Sequence, residues 1–85
     1  MKIRFSKHAI EKFAVLLTHG VRVSRRKVVA TIKEPEFVDY RRLPLLIAQT
    51  TLDARRVLRV VYREEENAIL VVTFYPGRKS AYEKE

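Results

Sequence analysis

The chain contains no cysteine, only two glycines and only two histidines, and each shortage removes a class of chemistry. Without cysteine there is neither a disulfide frame nor a thiolate nucleophile. Gly20 and Gly77 stand too far apart for a glycine-rich phosphate loop. His8 and His19 fall on one helical stretch, on the order of 16 Å apart by the helical rise, so they cannot share a metal ion. No further His or Cys completes such a site, and no cofactor is expected. Long apolar runs are also missing, and nothing near the N-terminus reads as a signal peptide, so a cytoplasmic location without a membrane partner is expected. Acidic residues are outnumbered: 18 Lys and Arg face 10 Asp and Glu, a net charge of +8 over 85 residues. Such an excess favours a polyanionic partner, RNA or other nucleic acid first, or an acidic protein segment.

Residues 1–85 have the length of one domain and carry no repeat, linker or low-complexity tract. Met1 to Phe5 is suited to a short edge strand. Ser6 is placed to cap a helix that carries Ile10, Phe13, Ala14 and Leu17 on its buried side, and Gly20 ends it. Ser24 caps a second helix, with Val23 and Val28 at the staple positions, and Pro35 stops it. Strands are expected over Glu36 to Arg42, Leu45 to Thr51, Arg55 to Arg63 and Ala68 to Tyr75, with Pro76-Gly77 as a turn.

The third of these strands alternates between two faces. Leu58, Val60 and Tyr62 share one side, and Val57, Arg59, Val61 and Arg63 share the other. An odd-length loop within Glu64 to Asn67 sets Leu58, Val60 and Tyr62 against Phe74, Val72 and Leu70, whereas a two-residue turn mixes the faces. The odd loop leaves an open face of arginines mixed with Val57, Val61, Ile69 and Val71, apolar enough to take an acidic amphipathic segment.

Three clusters carry candidate chemistry. Arg25, Arg26 and Lys27 occupy the first turn of the second helix, where the helix dipole disfavours cations and a bound anion relieves the mismatch. Arg55, Arg59 and Arg63 add cations along the strand. Arg78 and Lys79 follow the last strand with Tyr75 and Tyr82 close in sequence; arginine can clamp a phosphate, lysine can supply a point charge, and tyrosine can stack on a base or pass a proton. Glu64, Glu65 and Glu66 read as a solvated acidic turn rather than a metal site.

Taken together, Phe5-Ser6-Lys7-His8-Ala9 opening a helix, the His19-Gly20-Val21 junction, Glu34-Pro35-Glu36-Phe37-Val38, and the closing Val71-Val72-Thr73-Phe74-Tyr75 resemble the domain-of-unknown-function family 4258. The order is similar also to the BrnT toxins of the RelE-like ribonuclease superfamily. The resemblance implies an α+β fold, two N-terminal helices packed on a four-stranded antiparallel sheet. It implies a toxin of a toxin–antitoxin pair that cleaves RNA without a metal, by attack of the substrate's own 2′-hydroxyl. Its working groups are then a helix-borne His8 for proton transfer, Tyr75 against a base, and Arg78 with Lys79 on the phosphate, to which residue type adds Arg59. Many relatives carry Arg before the glycine where this chain has His19. A binding or regulatory module of the same fold, without catalysis, is the alternative.

Overall fold

Ser6 joins the first strand to the first helix and ties both to the far end of the chain. Its hydroxyl accepts the Ala9 N–H at 3.0 Å as the helix N-cap and donates to the Val72 carbonyl at 2.8 Å, while its own N–H bonds the Val71 carbonyl. Around this point the computed structural model, which describes residues 2–82, builds β1 (Lys2–Phe5), α1 (Lys7–Thr18), α2 (Arg25–Lys33), β2 (Phe37–Asp39), β3 (Leu45–Thr51), β4 (Arg56–Glu65), β5 (Ala68–Arg78) and the short α3 (Lys79–Tyr82). Met1, the first residue of the expected edge strand, lies outside the described residues.

The α+β class holds, but the sheet is larger than the four strands the resemblance implies, because the edge strand expected near the N-terminus joins it. It has five strands in the order β1-β5-β4-β3-β2, antiparallel except for β1, which lies parallel to β5. The four-stranded antiparallel sheet is thus corrected by one parallel edge strand, and the two helices by a third. Ser24 caps α2 as expected, and both staple residues, Val23 and Val28, are buried. Gly20 takes φ +79, the left-handed conformation that ends α1. The strand expected over Glu36 to Arg42 shrinks to Phe37–Asp39, because Asp39 turns the chain by accepting the Arg41 N–H. Pro76-Gly77 is no turn: β5 continues through it, with Pro76 opposite Leu58 and Gly77 opposite Val57. Beyond β1 this part of β5 is an edge, where a proline costs no ladder bond.

The β4–β5 connection is the two-residue turn Glu66-Asn67, not an odd loop. The expected mixing of faces is averted by a bulge: Val61 pairs with Thr73 and Tyr62 with Val71, so Val72 is the extra residue. Val60 therefore faces Phe74, and Val71 and Ile69 join the core in place of Val72 and Leu70. The Val72 carbonyl released by the bulge is the one that Ser6 satisfies.

The core lies between the helices and one face of the sheet, with Phe74, Leu58, Val60, Val71 and Val28 fully buried. Helix α1 meets it through Ala9, Phe13 and Leu16 rather than through the expected Ile10, Ala14 and Leu17. Ile10 is 51% and Leu17 50% exposed. Apolar residues occupy most of the α1 circumference, so periodicity leaves its rotation open. Phe13, wedged between Phe5 and Phe74 at centroid distances of 5.9 and 4.6 Å, decides it. Leu16→Ala is accordingly expected to cost about 2–5 kcal/mol in denaturant unfolding, and Leu17→Ala no more than about 0.5 kcal/mol; equal losses would contradict this rotation. Among the described residues no helix is long and apolar enough to cross a membrane.

Candidate nucleic-acid interface

The face of the sheet turned away from α1 and α2 holds a buried polar network instead of the expected apolar patch. Gln49, Arg59 and Tyr75 are cross-strand neighbours on β3, β4 and β5, and Asp39 on β2 lies two pairs along, opposite Ile47. The Arg59 guanidinium donates from Nη1 to Gln49 Oε1 at 2.5 Å, from Nε to the Tyr75 hydroxyl at 3.1 Å, and from Nη2 to Asp39 Oδ2 at 3.2 Å. Its outer side is covered by the Tyr82 ring, 4.2 Å from the guanidinium carbon to the centroid. Asp39 and Arg59, each 3% exposed, are the two buried charged residues among those described.

Asp39 is shared. Besides Arg59 it accepts the Arg41 Nε at 3.0 Å, the Arg41 Nη2 at 2.8 Å and the Arg41 backbone N–H at 2.9 Å. The Arg41 side chain first, then its backbone N–H, and then Arg59 hold the Asp39 carboxyl well below the usual range, against the opposing effect of burial. Val57 and Val61 are buried too, Val57 completely. Helix α3 packs back onto β4 and β5, and Tyr82 lies over Gly77, the cross-strand partner of Val57. A Cβ on Gly77 would collide with that ring. With Val71 and Ile69 in the core as well, the expected apolar docking patch does not exist.

Two concavities flank α3. The first, about 650 Å³, is lined by Glu36, Phe37, Arg41, Gln49, Arg59, Ala81 and Tyr82. Cations surround the second, of about 880 Å³, which is lined by Asp53, Ala54, Arg55, Arg56, Arg78, Lys79 and Ser80. Its one acid is already committed: Asp53 accepts the Arg55 and Arg56 N–H groups and pairs with the Arg56 guanidinium at 2.7 Å. The Arg56 side chain first, then the Arg55 N–H, lowers the Asp53 carboxyl below its ordinary value. Among the described residues Arg55, Arg78 and Lys79 form no ion pair. The Lys79 N–H bonds the Arg55 carbonyl at 2.9 Å, which fixes the two segments side by side.

The sequence candidates are therefore divided among different places. Arg55, Arg78 and Lys79 share one concavity. Arg59 and Tyr75 meet as well, but Arg59 is buried with each guanidinium nitrogen engaged, so it orders the site rather than reaching a phosphate. His8 is exposed on the first turn of α1, on the opposite side of the sheet. On that same layer Arg25 stacks on the Phe5 ring at 4.5 Å, beside Arg26 and Lys27 at the start of α2. Arg63 is spent on Glu65 at 3.0 Å near the β4–β5 turn. Missed in the sequence are Asp39, Gln49, Arg41, Glu36 and Phe37, whereas Tyr82 belongs to the C-terminal run already singled out. Of these only Asp39 carried a local signal, an acid two residues before Arg41 at a strand end, which is an Asx-turn pattern. No protein-family model, no curated protein and no solved structure matches the chain.

Proposed function

We propose that the chain binds single-stranded RNA around α3. The observation that carries this reading is the adjacency of two unlike concavities: Lys79 and Ser80 line the basic one, while Ala81 and Tyr82 line the one that also holds Phe37 and Arg41. Unpaired cations suit the phosphates of a strand, and exposed aromatic rings suit its unstacked bases. Phe37 is 51% and Tyr82 36% exposed. With Arg55, Arg78 and Lys79 each taking one phosphate, the plot of log affinity against log salt for a short labelled RNA is expected to slope at about −2, from about −0.7 per contact on single strands. An affinity indifferent to salt would remove the reading.

A second reading is metal-independent cleavage, as expected of a RelE- or BrnT-like toxin held in check by an acidic antitoxin-like protein segment that competes for the same cations. It is favoured by the gathering of Arg78 and Lys79, the residues assigned by that resemblance, into one concavity with Arg55 and Arg56. The 2′-oxygen would bond to phosphorus as the bond to the 5′-oxygen breaks, its proton passing to water and Lys79 giving one to the departing 5′-oxygen, while the cations stabilise the phosphorane. His8 lies across the sheet and has no part in it. Cleavage that persists in EDTA, leaves 2′,3′-cyclic phosphate ends, falls by roughly 10²-fold in Lys79→Ala and is unchanged in His8→Ala is the expected pattern. Binding without cleavage would leave the first reading alone standing.

A further inference from the structure

The smaller concavity presents a definite pattern of donors and acceptors, and the buried network sets it. Arginine has donors only, so the amide of Gln49 must turn its oxygen to Arg59 Nη1 and its NH2 group the other way. Gln49 is therefore a donor where it lines the cavity. Glu36 is the acceptor. Its Oε1 accepts the Thr51 hydroxyl at 3.0 Å and its Oε2 the Thr50 hydroxyl at 3.2 Å. The Thr51 backbone N–H first, then these hydroxyls, hold its carboxyl below the ordinary value, so it is ionised and has no proton to offer. Of the roughly four lone-pair positions of a carboxylate, these hydroxyls use two, which leaves room for a further donor. The third group is Arg41, whose Nε and Nη2 are bonded to Asp39 while the side chain stays 82% exposed, leaving Nη1 as a second donor.

We infer that this cavity takes an unpaired base by its Watson–Crick edge, a base N–H donating to Glu36 and the neighbouring base acceptor facing Gln49 or Arg41, an inference that rests on the RNA-binding reading above. Uracil offers N3–H between two carbonyl oxygens, and guanine offers N1–H beside O6. Either donates that N–H to Glu36 and accepts at its carbonyl oxygen from Gln49 or Arg41. Adenine and cytosine meet the same groups with the N–H of their exocyclic amine on the carboxylate and their ring N1 or N3 accepting from Gln49 or Arg41, so the pattern reads a Watson–Crick edge without separating the four bases. Phe37 and Tyr82 supply faces against which the ring can stack. The volume, about 650 Å³, is within the range of small-molecule sites.

The test is fluorescence anisotropy with labelled octamers of uridine, adenosine, cytidine and N3-methyluridine at one salt concentration. Uridine is expected to bind roughly tenfold more tightly than N3-methyluridine, the scale of one hydrogen bond to a charged group, and adenosine and cytidine, which keep an N–H donor, to lie closer to uridine than to the methylated strand. Glu36→Gln, checked for folding by its thermal melt, is expected to bring the uridine to N3-methyluridine ratio within about twofold while the salt slope stays as it was. Equal affinity of the wild-type protein for uridine and N3-methyluridine overturns the inference and spares the RNA reading, as does an unchanged ratio in folded Glu36→Gln. Failure of every octamer to bind at low salt removes both.

Discussion

Replacing Asp39 by Ala is expected to destabilise the protein by roughly 3–5 kcal/mol, the cost of leaving a buried partner charge uncompensated. Arg59 stays enclosed by Gln49, Tyr75 and Tyr82 whether or not its carboxylate is present. For a domain of this size that loss lowers the melting temperature by about 12 °C or more. Arg41→Ala should cost far less, since Arg41 holds the same carboxylate from the exposed side. Replacing both members, Asp39→Leu with Arg59→Met, should recover most of the loss, because a buried ion pair exchanged for apolar side chains is often neutral. A double variant no more stable than Asp39→Ala would show that the Gln49 and Tyr75 bonds, not the charge pair, hold this face together.

The same group gives stability a pH dependence of defined sign. Asp39 is lowered from an ordinary value of 3.8, so its contribution is complete above that value and is lost as pH falls below it toward the folded-state value. Glu36 and Asp53, also lowered, add to the loss in the same direction. Urea midpoints should therefore fall steeply below about pH 4 in the wild-type protein, and less steeply in Asp39→Asn.

Reversing charge at Arg55 and Arg78 together, both to Glu, is expected to weaken RNA binding by roughly 10²-fold or more, since like charge set against phosphate costs several kcal/mol. The equivalent reversal at Arg25 and Arg26 should weaken it only several-fold, through the long-range field, and that residue should fade with salt. The contrast rests on placement: Arg55 and Arg78 line the basic concavity, while Arg25 and Arg26 begin α2 behind the sheet. Arg59→Ala belongs to neither group; its loss should appear as lowered stability, not as a shallower salt slope. If the α2 pair proves the more damaging, the interface is on the helix layer and α3 is not its centre.

Local chemistry made part of this architecture legible and geometry hid the rest. Ser6, Ser24, Gly20 and the Val23–Val28 pair act on neighbours three to five residues away, so their roles can be read from spacing. The rotation of α1 could not, because Ala9, Ile10, Phe13, Ala14, Leu16 and Leu17 offer two apolar stripes, and only Phe5 and Phe74 choose between them. The β4–β5 register depended on a bulge whose stabilising partner, Ser6, lies 66 positions from Val72. For the site, residue type sufficed to gather Arg55, Arg78 and Lys79 as cations. It failed for Arg59, since nothing along the chain shows that Asp39, Gln49, Tyr75 and Tyr82 converge on it from three strands and a short helix.

The place of β1 governs what the ribosome releases, and when. Its one neighbour in the sheet is β5, and α1 packs on those same two strands. A helix of 12 residues is too short to persist alone in water. Through the several seconds that translation of some seventy codons takes at about 5–20 residues per second, the first strand and helix have no surface to settle on. They dock only when Val71 and Phe74 emerge. Ile3, Phe5, Phe13 and Leu16 are therefore exposed together on the nascent chain until β5 appears, and a chaperone that samples apolar segments has that whole interval in which to meet them.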